Sequence, residues 1–234
     1  MMLRRAFLAS LAAMLTFSTA ARAMEDRVLT LPLPDGTPLN IWVVFPDGYD
    51  PAKPVPTLLA FPPGAQDLSM VDAGFYWWAP VAIERGWLLI GPAAPWGKTF
   101  GREARPLIGP LLDELLARFP VADGKFHLAG ISNGGVSAFA AALDFPARFR
   151  SLTVLAGMPP RENDYATLSA LRGMPVNMLV GQYDEGFLAP MTRTRDALVA
   201  AGILPHFQVV PRAPHTLYEF QGDAAAPLFD LMVR

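Results

Sequence analysis

Apolar and polar positions alternate along residues 27–33 and again along 39–45, with Asp35 and Gly36 between the two runs, which predicts an antiparallel hairpin. The next apolar run, 57–61, is short and unbroken and ends at Pro62, Pro63 and Gly64, as a buried strand opening into a loop would. Helical spacing of apolar side chains follows over 71–85, then a second buried run over 87–90 that Gly91 and Pro92 stop. The pattern repeats as helix 103–119, strand 125–131, helix 133–144, strand 151–155, helix 163–172, strand 176–180, helix 186–201, strand 206–210 and helix 222–233. Such alternation predicts an α/β architecture, a mostly parallel sheet with helices on both faces. Ligands in these sheets gather beyond the carboxyl ends of the strands. The connections are short, so no large cap domain is expected and the site should be open.

The first 23 residues carry a different signal. Arg4 and Arg5 precede an apolar, small-residue run over 6–20, and Ala21, Arg22 and Ala23 form a small-x-small cleavage site. This reads as a secretory signal peptide, with an uncleaved anchor as the alternative. Arg4, Arg5, Ala6, Phe7 and Leu8 also resemble the twin-arginine export signal, so either export route remains open. Residues 24–234 are then expected to form one domain, periplasmic or secreted. Removing 1–23 takes away three arginines and moves the formal charge from −2 to −5. A mildly acidic chain offers no field for phosphate backbones, so no nucleic-acid partner is expected. No later stretch approaches spanning length, so the mature chain should not cross a membrane. Cysteine is absent from all 234 residues, which excludes disulfides, thiolate metal sites and catalytic thiols.

Candidate chemistry concentrates after the strand at 125–131. Gly130, Ile131, Ser132, Asn133 and Gly134 form a G-x-S-x-G nucleophile elbow, set between a predicted strand and a predicted helix as that motif requires. The bland reading of Ser132 is an N-cap on an ordinary helix. A serine hydroxyl needs a base, and the chain has three histidines. His127 lies five residues upstream in the same strand, about 16 Å from Ser132 at about 3.3 Å per residue, and suits the core. His206 begins the last strand, at the edge opposite the elbow. His215 follows that strand and shares the elbow's edge, which makes it the candidate general base. An imidazole base needs an acid to orient it, and Asp184 follows the strand at 176–180 on the same edge, with Glu185 as the fallback. One oxyanion donor should be the N–H of Asn133. Pro62 and Pro63 have none to give, so the second falls to Ala65 or else to Gln66.

The order Ser132, Asp184, His215 is that of the α/β-hydrolase triad. With the opening hairpin, the oxyanion loop and the elbow, the sequence resembles α/β-hydrolase-fold serine esterases, near the polyhydroxybutyrate-depolymerase-like and feruloyl-esterase-like carboxylesterases. Members of that group commonly carry His-Gly where this chain has Pro63 and Gly64. The resemblance implies acyl transfer through Ser132 on a small-molecule or polymeric ester, with no metal and no organic cofactor. No H-E-x-x-H, Walker or dinucleotide fingerprint occurs. Two other readings use the same residues, a serine peptidase of the same fold and an inactive hydrolase-fold binding protein. Trp78 and Trp96, large flat side chains near the active edge, are expected as substrate contacts, with the core as the competing place for aromatics at helical spacing.

Overall fold

The computed structural model describes residues 26–234, and the expected export segment lies outside the described residues. β1 (Asp26–Pro32) and β2 (Pro38–Val44) form the expected hairpin. β3 (Thr57–Phe61) leads through a loop into α1 (Leu68–Glu84). This helix starts three residues before the apolar spacing predicts, because the Asp67 carboxylate accepts the Met70 N–H at 3.0 Å and caps it. β4 (Leu88–Pro92) is followed by a 3-10 turn at Arg105–Leu107 and α2 (Ile108–Arg118). Then come β5 (Phe126–Ile131), α3 (Asn133–Asp144) and β6 (Phe149–Leu155). The expected helix at 163–172 is a 3-10 helix over Glu162–Leu171. Its inward side chains Tyr165, Leu168 and Leu171 are three apart, the period of that tighter helix. β7 (Val176–Gly181), α4 (Leu188–Ala200) and β8 (His206–Val210) follow. The expected last helix splits into a 3-10 turn at Gly222–Ala225 and α5 (Ala226–Met232), with Pro227 in the first turn of α5.

All eight strands form one sheet in the order β1-β2-β4-β3-β5-β6-β7-β8. β2 is antiparallel to β1 and β4, and every pairing from β4 to β8 is parallel. Every residue of β3, β4, β5 and β7 is buried, which is why these strands read as unbroken apolar runs. One face packs on α2, α3, the 3-10 helix and α4 through residues such as Leu112, Phe139, Leu168 and Met191. The other packs on α1 and α5 through Val71, Trp78, Leu228 and Phe229. Arg105 pins the first face by gripping Asp144 at the end of α3 and Asp164 in the 3-10 helix, at 2.7–3.1 Å. No described helix is long and apolar enough to cross a membrane.

Candidate active site

The elbow is shaped by backbone contact. Ser132 sits at φ 56°, ψ −121°, a conformation costly for a residue with a side chain, between the end of β5 and the start of α3. A Cβ on Gly130 would run into the Gly134 carbonyl, and one on Gly134 would run into the carbonyl of Phe61 at the end of β3. The motif's two glycines are therefore what lets the helix start directly over two strands. The Ser132 N–H donates to Leu155 O on β6 at 2.9 Å, so the bend is held from the neighbouring strand as well.

Loops after β7 and β8 bring the other two groups to the same edge. Asp184 is only 5% exposed, and its carboxylate accepts the Phe187 N–H at 3.2 Å. Asp184 Oδ2 lies 2.6 Å from His215 Nδ1, and His215 Nε2 lies 2.9 Å from Ser132 Oγ. A carboxylate only accepts, so Nδ1–H donates to Asp184, which leaves Nε2 of the neutral ring to accept from the Ser132 hydroxyl. Glu185, the fallback acid, is exposed. The His215 loop is fixed on several sides. Tyr183 N–H donates to Ala213 O at 3.0 Å, Arg212 N–H donates to Gln182 Oε1 at 2.8 Å, and Trp77 Nε1–H donates to Leu217 O at 3.4 Å. Gly181 leaves no room for a Cβ beside the Ala213 and Pro214 carbonyls, so the two loops lie backbone against backbone.

Asn133 heads α3 directly after the nucleophile. Across from it, Pro63 to Gln66 form a tight turn in which the Gln66 N–H donates to Pro63 O at 3.1 Å. That engages one of the two expected alternatives and leaves the Ala65 N–H. The same turn leaves the Gly64 N–H without an acceptor among the described residues, a donor that the sequence reasoning passed over. Asn133 Nδ2 donates to Gly64 O at 2.9 Å and so ties the turn to the residue after the nucleophile. Beneath the turn, the fully buried Gln66 carboxamide donates to Pro62 O and Ser137 Oγ at 2.9 and 3.0 Å and accepts the Phe100 N–H at 2.8 Å. Nothing in the local pattern assigns the glutamine's side chain this place. Its partners lie up to 71 residues away.

The other candidates fall elsewhere. Trp78 is 1% exposed and meets Phe229 edge-on, with ring centroids 6.5 Å apart. The expectation of a substrate contact is corrected, because consecutive helix positions face different ways and residue 78 faces the core. Trp96, on the loop after β4, is 93% exposed. His127 is buried in β5 with Nδ1 2.8 Å from Ser151 Oγ and its ring 4.5 Å from Trp87, and burial pushes its pKa down to about 4. His206 is exposed at the start of β8. Between β6 and β7 the chain holds only the 3-10 helix and its loops, so no cap domain is inserted there.

Residues 94–202, somewhat less than half of the chain, match the Esterase family ("Putative esterase"). That stretch contains Ser132 and Asp184 but not His215. No curated protein matches the sequence. Among solved structures, a thermostable esterase superposes with a TM-score of 0.70 at 13% identity, over 88% of this chain and 60% of its own. A ferulic acid esterase superposes with a TM-score of 0.66 at 15% identity, over 90% of this chain and 98% of its own. The dipeptidyl peptidase 4 of Porphyromonas gingivalis gives 0.66 at 15% identity, and this chain spans only 34% of its length. At such identities the likeness establishes the fold. The chain thus has the α/β-hydrolase fold along its described length and is similar to the Esterase family across residues 94–202.

Proposed function

We propose that the chain is a serine carboxylic-ester hydrolase working through an acyl-enzyme on Ser132. The observation that carries this is the unbroken hydrogen-bond chain from Asp184 through His215 to the Ser132 hydroxyl. Ser132 Oγ attacks the ester carbonyl carbon as His215 Nε2 takes its proton, and Asp184 steadies the imidazolium that forms. The N–H of Asn133 and that of Ala65 hold the oxyanion. His215 then protonates the leaving alcohol as the acyl–oxygen bond breaks. Water enters by the same route in reverse order and frees the acid. The exposed site, without an inserted cap, suits bulky or polymeric esters as well as small ones. Residues 1–23 serve as an export signal in this reading, with 24–234 as one domain acting in the periplasm or outside the cell, and with no nucleic-acid partner.

A fluorophosphonate probe tests the chemistry. It should label the wild type and leave Ser132→Ala and His215→Ala unlabelled, both folded by circular dichroism. A folded His215→Ala that labels and turns over at the wild-type rate would refute the base assignment. The same-fold peptidase remains the second reading, on the likeness to a dipeptidyl peptidase. Turnover of peptide anilides in preference to p-nitrophenyl and hydroxycinnamate esters would favour it.

A further inference from the structure

One residue outside the proposed triad touches two of its members, His215 through its ring and Asp184 through its backbone N–H. Phe187, at the N-terminal boundary of α4, lays its ring on the His215 imidazole, with centroids 5.0 Å apart and planes 29° apart. Its backbone N–H donates to Asp184 Oδ1, while Oδ2 of the same carboxylate receives the His215 Nδ1–H. The phenyl ring is half-buried and packs on the core beneath, so the protein holds it without help from a ligand.

The imidazole needs such a support. The His215 side chain is 40% exposed, and its two hydrogen bonds leave from Nδ1 and Nε2. Two bonds at the rim restrain the ring least against rocking about the line that joins them. A flat surface on one face removes that freedom. An aromatic face is also electron-rich at its centre and attracts a neighbouring cation. We propose that Phe187 is a positioning residue for the general base, setting the plane of the His215 ring and favouring the positive charge the ring acquires on taking the Ser132 proton. This inference rests on the acyl-transfer reading above. The imidazole is neutral while the ester merely sits in the site, so the effect of Phe187 falls on kcat and spares KM.

Phe187→Leu keeps an apolar side chain and the backbone N–H to Asp184 but removes the aromatic face. With p-nitrophenyl acetate, kcat should fall about 5–30-fold, the scale of a partly desolvated cation over an aromatic ring, and KM should stay within about twofold. Phe187→Tyr should bring kcat back to within about threefold of wild type, which a loss of packing alone would not explain. If the leucine variant does not fold, Phe187→Met carries the same expectation. Wild-type kcat in a folded non-aromatic variant, a change confined to KM, or no recovery with tyrosine would each overturn the proposal. Phosphonate labelling separates this failure from a deeper one. Equal labelling rates in wild type and Phe187→Leu would sink the role of Phe187 alone, whereas an unlabelled wild type would sink the acyl-transfer reading and this inference with it.

Discussion

Gln66→Met removes the polar end of a fully buried side chain while keeping its length, and its consequences can be worked from the bonds it leaves behind. The carboxamide accepts the Phe100 N–H, exchanges hydrogen bonds with the Ser137 hydroxyl at 3.0 and 3.2 Å, and donates to Pro62 O. Methionine answers none of these. A buried polar group left without a partner costs about 1–3 kcal/mol, so stranding the Phe100 N–H and the Ser137 hydroxyl together costs about 2–6 kcal/mol. Backbone strain does not change, because Gln66 already sits at φ 59° and methionine would be no worse there. For a chain of this size each kcal/mol lowers Tm by about 2–4 °C, which predicts a drop of about 5–20 °C in a circular-dichroism melt. Adding Ser137→Ala removes one stranded group, so the double variant should be more stable than the two single effects summed, by about 1 kcal/mol or more. Phosphonate labelling of Ser132 should slow at a temperature where the variant is folded, because the turn that carries Ala65 has lost its support from below. A Tm within about 2 °C of wild type, or strict additivity with Ser137→Ala, would refute the reasoning.

Two further outcomes follow from the same structure. His127 has a folded pKa of about 4 against an ordinary 6.5, because burial disfavours its charged form. The unfolded chain therefore takes up this proton first as pH falls, and about 3 kcal/mol of stability is lost between about pH 6.5 and pH 4. Urea unfolding of wild type and His127→Gln from pH 7.5 to 4.5 should show the wild type losing about 2–3 kcal/mol more than the variant, with the rate of phosphonate labelling at pH 7.5 equal in both. Parallel pH curves would refute it. In Gly181→Ala the new methyl meets the carbonyls of Ala213 and Pro214, which displaces the His215 loop from its neighbour. Displacing the base by about 1 Å costs about 100-fold in rate, so turnover should collapse in a protein that still folds. Wild-type turnover would show that the loop gives way harmlessly.

Much of the architecture could be read along the chain because it is written in short-range pattern. Strands buried on both faces became unbroken apolar runs, and glycine, proline and polar clusters punctuated them. The boundaries slipped where a side chain outside the apolar pattern decided them, as Asp67 did by capping α1 and Pro227 by standing in the first turn of α5. At the site, chain order and strand direction put Ser132, Asp184 and His215 on one edge of the sheet. A parallel sheet delivers every post-strand loop to the same side, so that much needs no coordinates.

The side-chain contacts of Gln66, Phe187 and Trp77 had no such signal, and each is made with a residue distant in the chain. Gln66 meets Ser137 across 71 positions, and Trp77 reaches the Leu217 carbonyl across 140. The fate of the two tryptophans was settled in the same way. Trp78 turned into the core against Phe229, while Trp96 was left in solvent by a loop whose path no periodicity encodes. The sequence by itself determined the order of elements and the sharp bend at residue 132, because both depend on residues within a few positions of one another. Only the tertiary structure decided which side chains brace that bend, the oxyanion turn and the imidazole, because those contacts arise only once the sheet has brought distant loops together.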